Sequence, residues 1–241
     1  AAVSSSNQQR SQDLSRILEK QFSICQLKHS EQATGLLIGP RLIITCSHFL
    51  PTPEFAKKTK AYFISDTSEA ISIEVNLDAS QETGYFYVCK NPEDPKKEDQ
   101  NREFTPDALD FTLIALDEQD PRLKEIQGKI IPVDLQSAIP PQGGAAHILH
   151  YPFLGEKKRI QDDTQKYGLS SVDPESVKNI KVNTQVFHHK PADPQLTCSE
   201  GSSGAPLFDQ EGNLIGFHNG ECALLEHAGK NCRLAVRASS I

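Results

Sequence analysis

Apolar and polar positions change rhythm early in the chain. Leu14, Ile17, Leu18 and Phe22 recur at helical spacing, with Ser11 placed as a cap, and predict a short amphipathic helix over 12–21. Residues 1–11 before it are polar and predicted to be disordered. After residue 21 the chain breaks into short β-rich runs separated by turn residues. FSICQLK (22–28), TGLLI (34–38) and RLIITC (41–46) come first, the last two joined by Gly39-Pro40. KAYFIS (60–65), ISIEVNL (71–77), YFYVCK (85–90) and LDFTLIALD (109–117) follow, with a charged, solvated insertion at 91–103. Past the polar stretch 117–129, which reads as a linker, strands are predicted at 130–135, 146–153, 180–188, 205–209, 213–218 and 233–237. No repeat of 20–50 residues and no strand-helix-strand alternation is present. The pattern predicts an all-β barrel or sandwich, and the linker near 120 divides it into two similar halves, 22–120 and 121–241, which suggests two barrels.

Bulk properties narrow the function. A length of 241 residues is enough for a substantial core, and 37% hydrophobic with 24% charged content is ordinary for a soluble globular protein. The formal net charge of −7 speaks against general attraction of this chain to nucleic acid or anionic membrane. No apolar run approaches the roughly 20 residues of a membrane helix. The opening AAVSSSNQQRSQD has no signal-peptide-like apolar core, so the six cysteines are expected as intracellular thiols. Only Cys222 and Cys232 are placed for a local bridge. None of the six lies in CxxC, and His147 and His150 fall on opposite strand faces, so no metal site and no cofactor is expected.

Three short stretches carry candidate chemistry. EGSSGAPLFD (200–209) wraps two serines in glycine just before a strand. A serine hydroxyl attacks only when a base takes its proton, and acyl transfer needs N–H donors aimed at the oxygen that becomes negative. Glycines let the chain turn sharply enough to supply them: Gly201 and Ser203 N–H groups could converge, with Gly204 leaving room for substrate. RLIITCSHFL sets His48 just beyond a strand, a fixed place for an imidazole base. PDALDFTLIALD offers Asp107, Asp110 and Asp117, of which Asp110 directly precedes the strand. Each stretch alone also fits an ordinary turn. Their order carries more: His48, Asp110 and Ser203 follow one another at separations of 62 and 93 residues. GSSGA is not the G-x-S-x-G of α/β-hydrolases, and the order differs from theirs and from that of subtilisins.

On these three stretches residues 22–241 resemble a trypsin-like (chymotrypsin-fold) serine protease. The resemblance implies two six-stranded antiparallel β-barrels with the active site in the cleft between them. It implies His48 as general base and acid, Asp110 as its orienting carboxylate, Ser203 as nucleophile, and Gly201 with Ser203 as the oxyanion hole. The departures matter. Where zymogen-activated members carry Asp before the nucleophile, this chain has Ser202, so activation by that ion pair is not expected. No cysteine lies just after His48 to pair with Cys46 across the histidine loop. Both features are similar to HtrA-type, viral 3C-type and glutamyl-type relatives. HILHYPFLGEKKRI (147–160), GSSGAPLFD and LIGFHNG further resemble a vertebrate nuclear trypsin-like protease family tied to replication forks and antiviral host-range restriction. That resemblance implies protein or peptide substrates, cleavage after aromatic or other apolar residues, self-cleavage, and DNA and sliding-clamp contacts only through regions outside this chain. It also suggests a homodimer through the first helix, with Leu14, Ile17 and Leu18 as the contact stripe.

In this family the primary pocket lies between the segment before the nucleophile and the strand after it. Here those are Thr197 and Cys198 on one side and Gly216, Phe217, His218, Asn219 and Gly220 on the other. Neither Thr197 nor Cys198 is acidic, so a Lys or Arg preference is not expected. A small neutral pocket takes Phe, Tyr or Leu; His218 beside Thr197 would instead bind Gln or Glu, as in the 3C and glutamyl relatives.

Overall fold

The computed structural model describes residues 15–64, 72–80, 85–90, 105–127, 132–135, 146–151, 168–172, 178–180, 183–189, 201–221 and 233–241. Seven strands make the first sheet: β1 (Ile24–Lys28), β2 (Gln32–Leu37), β3 (Leu42–Thr45), β4 (Lys60–Ile64), β5 (Ser72–Asp78), β6 (Phe86–Cys89) and β7 (Phe111–Leu116). Their order is β3-β2-β1-β4-β5-β7-β6, and β3 also pairs with β7. That last pairing closes a six-stranded antiparallel barrel. β5 meets β7 at Leu116 and Ala115, while β6 meets the same strand from Ile114 to Phe111, so β5 and β6 occupy one lane of the barrel in turn. Closure leaves the barrel no open edge between β3 and β7.

The second half forms another seven-stranded antiparallel sheet, in the order β10-β11-β14-β13-β12-β8-β9. Its strands are β8 (Ala146–His150), β9 (Gly168–Val172), β10 (Lys178–Ile180), β11 (Asn183–His189), β12 (Pro206–Asp209), β13 (Leu214–Glu221) and β14 (Arg233–Arg237). Among the described residues no pairing closes it, so the second six-stranded barrel expected from the sequence is seen here as an open sheet.

Two other expectations change. The apolar run 130–135 is no strand over its described part, 132–135. Pro132 has no N–H for a ladder; Val133 makes a single bond, its N–H to the carbonyl of Leu37 at 2.9 Å, and is buried. The polar stretch 117–129 contains a short helix, Leu123–Gln127. It is tied down by Asp120, which accepts the N–H of Asn76 and both a backbone and a two-pronged guanidinium contact from Arg122. Another short helix, Pro53–Lys58, has proline in its first turn with Glu54, and lysines in its last, as the helix dipole favours.

The predicted N-terminal helix is present at residues 15–19 and runs into a 3-10 turn, Lys20–Ser23. Ile17 is fully buried in a core cluster with Ile24, Leu149, Phe208 and Leu214. Its side chain is therefore spent inside this chain and is not available to the expected dimer stripe; Leu18 is exposed, and Leu14 lies outside the described residues. The same cluster joins Leu36 and Ile44 of the barrel to Phe217 and Val236 of the second sheet, so apolar packing runs across the seam that holds the site.

Inside the barrel, Gly35 leaves room that its neighbours fill. A Cβ there would lie 2.8 Å from Ile43 Cγ2 and 2.9 Å from Cys25 Sγ. Gly35→Ala is expected to destabilise the protein by about 1–3 kcal/mol through overpacking, seen as a lower thermal midpoint. An unchanged midpoint would contradict this packing.

Candidate active site

Barrel closure builds the first half of the site. β3 and β7 pair with Thr45 opposite Thr112, which sets the residues after β3 beside those before β7. His48 and Asp110 meet there although 62 positions separate them. Asp110 is the one non-glycine residue with positive φ (55°) among the described residues. Aspartate tolerates that conformation better than most residues, at a cost of about 1–2 kcal/mol. Hydrogen bonds fix it there. Oδ1 accepts Ser47 Oγ–H and the His48 backbone N–H, both at 2.7 Å. Oδ2 accepts His48 Nδ1–H at 2.6 Å and the Asn219 side-chain amide at 2.6 Å. The carboxylate is buried and all four bonds satisfy it.

A carboxylate only accepts, so His48 Nδ1 carries the proton and Nε2 is left with a lone pair. Nε2 lies 3.0 Å from Ser203 Oγ and accepts its hydroxyl proton. The second sheet supplies that serine from the loop 201–205, just ahead of β12. Gly201 (φ 93°) and Gly204 (φ 80°) take left-handed conformations that glycine adopts without strain. A side chain at Gly204 would strike Thr34 O and the Thr45 hydroxyl. The loop sits against the barrel, where the Thr34 N–H donates to Ser203 C=O at 2.9 Å. Among the described residues no acceptor is bonded to the N–H of Gly201 or of Ser203.

Burial works against charge on the His48 imidazole, but it is outweighed by the neighbouring Cys46 and by the Asp110 carboxylate that accepts Nδ1–H, and together they push its pKa up. Burial also raises the Cys46 thiol. A raised value means the imidazolium persists to higher pH and the free base appears later. The acid limb of kcat/KM is expected to have its midpoint above the ordinary 6.5. A midpoint below 6.5 in a pH–rate profile would contradict it. Cys46 Sγ, a His48 ring nitrogen and an Asp110 oxygen all lie within 4.8 Å of one another. Cys46 is a free thiol that donates to His218 C=O.

The expected pocket wall divides. Gly216 faces Phe187 and Val236, and Phe217 is packed in the core cluster, so neither side-chain position lines an open pocket. Asn219 is buried and turned to Asp110. His218 is buried, its backbone bonded to Gly204 N–H and Ala205 C=O. Among the described residues, a Cβ at Gly220 would meet nothing within 4 Å. Thr197, Cys198, Cys222 and Cys232 lie outside the described residues. Four contacts escaped the sequence reading: Ser47 and Asn219 on Asp110, His150 on Ser202, and Thr34 on Gly201.

The architecture is shared with solved proteins. A Glu endopeptidase in complex with MPD aligns with TM-score 0.59 at 18% identity, over 92% of this chain and 87% of that one. An inactivated protease paralogue from the scabies mite aligns with TM-score 0.58 at 12% identity, over 92% of each chain. Deg5 aligns with TM-score 0.57 at 14% identity, over 97% of this chain and 91% of that one. At such identities these likenesses show the fold. The sequence itself matches the model of the trypsin-like peptidase domain over residues 33–217. That span holds all three members of the hydrogen-bonded Ser-His-Asp chain, and the protein belongs to the trypsin-like peptidase family.

Proposed function

We propose that this serine protease is an endopeptidase in which Ser203 attacks the peptide carbonyl, His48 takes and then returns the proton, and Asp110 holds the imidazole. The N–H groups of Gly201 and Ser203 stabilise the oxyanion, and the reaction passes through an acyl-enzyme. The observation that carries this reading is the 3.0 Å contact between His48 Nε2 and Ser203 Oγ, backed by the 2.6 Å bond from Nδ1 to Asp110. The scabies mite paralogue has the same fold in an inactivated form, so a protein-binding role for the cleft is the rival reading. The connected Ser-His-Asp chain favours catalysis.

Cleavage after aromatic or other apolar residues is the proposed specificity, supported by the resemblance to the nuclear protease family and by the absence of an acidic residue at 197–198. Glu or Gln is the alternative, through His218, and the likeness to a Glu endopeptidase favours testing it. No zymogen ion pair is proposed, because Ser202 is uncharged and bonded to His150. Nuclear location, self-cleavage and a homodimer through the first helix belong to the same proposal; of the expected stripe, Leu18 remains exposed for such a contact.

Two measurements test it. A fluorophosphonate probe should label the wild-type chain and leave Ser203→Ala unlabelled. Profiling on a peptide library should show Phe, Tyr or Leu before the cut. Absence of labelling at high protein concentration would favour the binding module, and Glu or Gln before the cut would favour the His218 pocket.

A further inference from the structure

The loop that presents Ser203 is gripped from two sides by neutral side chains. Thr34 on β2 is fully buried. Its hydroxyl donates to Gly201 C=O at 2.7 Å and accepts the Tyr151 N–H at 3.0 Å. Ser202, also fully buried, has its hydroxyl 2.7 Å from His150 Nδ1. Burial pushes the His150 pKa down to about 4, so this ring is uncharged at neutral pH. The two grips share an anchor: His150 ends β8 and Tyr151 follows it. A line of hydrogen bonds therefore runs from the end of β8 through Thr34 to Gly201, with a second from His150 to Ser202. They bracket the peptide groups that must turn the N–H donors of Gly201 and Ser203 toward one point.

We infer that Thr34 and His150 are positioning residues for the oxyanion loop, holding it through the Gly201 carbonyl and the Ser202 hydroxyl. The inference rests on the reading of Gly201 and Ser203 as oxyanion donors. The Gly201 carbonyl is fixed by Thr34 Oγ1, which sets the plane of the 201–202 peptide. The Ser202 side chain is fixed by His150, which sets the rotation of the next one. Ser203 N–H belongs to that second peptide. Without the grips the glycine at 201 has freedom to rotate the carbonyl inward, where it would repel the developing negative charge.

Thr34→Val removes the hydroxyl while keeping shape and β-branching, and the backbone bond to Ser203 survives. Thr34→Ser restores the hydroxyl. Hydrogen–deuterium exchange of the 201–205 amides, which needs no catalysis, is expected to quicken about threefold to tenfold in Thr34→Val and in Ser202→Ala, as for loss of one buried hydrogen bond. In both variants kcat should fall about 10–100-fold with KM nearly unchanged, less than the loss of an oxyanion donor itself. Affinity for a peptide boronate, whose oxygen sits on the donors, should fall by the same factor, and Thr34→Ser should recover all three readings. Exchange and boronate affinity unchanged in Thr34→Val overturn the inference, whatever happens to its thermal midpoint. If the wild type shows no turnover dependent on Ser203, the protease reading fails, while the exchange data still decide whether these side chains hold the loop.

Discussion

Ser203→Ala and His48→Ala are each expected to lower kcat on a peptide substrate by about 10⁶, and the double variant no further. The reason lies in the 3.0 Å contact between Nε2 and Oγ. Attack and proton removal are one event, so an imidazole without a hydroxyl is as idle as a hydroxyl without an imidazole. What remains in any of the three variants is binding and the loop's N–H donors, which act on the carbonyl independently. Folding should be spared. Ser203 Oγ and the outward edge of the imidazole face the cleft, with the His48 side chain one-third exposed, so truncation leaves no sealed cavity. Single-turnover kinetics on a fluorogenic peptide, with circular dichroism melts alongside, check both points. Losses that multiply in the double variant would mean that the two residues do not act as a unit, and the mechanism would have to be abandoned.

The site was legible in the sequence where function imposes a local signature. Glycines on both sides of Ser203 are needed for a left-handed turn, and the structure has φ of 93° and 80° at Gly201 and Gly204. His48 and Asp110 stand at strand ends, where each alone also fits an ordinary turn; the order His48, Asp110, Ser203 singles them out, and nothing in the strand pattern tells that β3 lies beside β7. Partners brought together by folding left no such mark. Thr34 sits in an unremarkable strand and meets Gly201 across 167 positions. His150 shares no strand face with His147 and so suggests no metal pair, and its partner Ser202 lies 52 positions on. Which of residues 216–220 face a cleft is not legible for a related reason. Period-two alternation separates a buried face from a solvated one, but β13 is covered on both faces: Leu214 lies in one apolar cluster and its neighbour Ile215 in another. Alternation then says nothing about which position faces a cleft. The run 130–135 was read as a strand from its apolar content, and Pro132 in it argued otherwise.

Asp110→Asn is expected to lower kcat by about 10⁴ while leaving KM and the thermal midpoint close to wild type. Shape is preserved, and asparagine also tolerates the φ of 55° at this position. The change lies in hydrogen bonding. Four donors converge on the two oxygens: Ser47 Oγ–H and His48 N–H on one, His48 Nδ1–H and the Asn219 amide on the other. An asparagine offers one oxygen and one NH₂. Oδ1 is held by the rigid backbone N–H of His48, so the amide oxygen is expected to stay there and the NH₂ to replace Oδ2. Facing an NH₂ group, His48 Nδ1 must accept rather than donate, which moves the ring proton to Nε2, and Asn219 must turn its amide so that its Oδ1, which is without a partner among the described residues, accepts the other N–H. An Nε2 that carries a proton cannot take one from Ser203. The same substitution removes the carboxylate whose hydrogen bond and charge, beside Cys46, help to raise the His48 pKa, so the acid limb of the residual activity should shift downward as kcat falls. Measuring both in one pH–rate series is decisive. A variant within tenfold of wild type would show that Asp110 does not set the tautomer of His48, and an acid limb that stays in place would show that its carboxylate does not raise the imidazole.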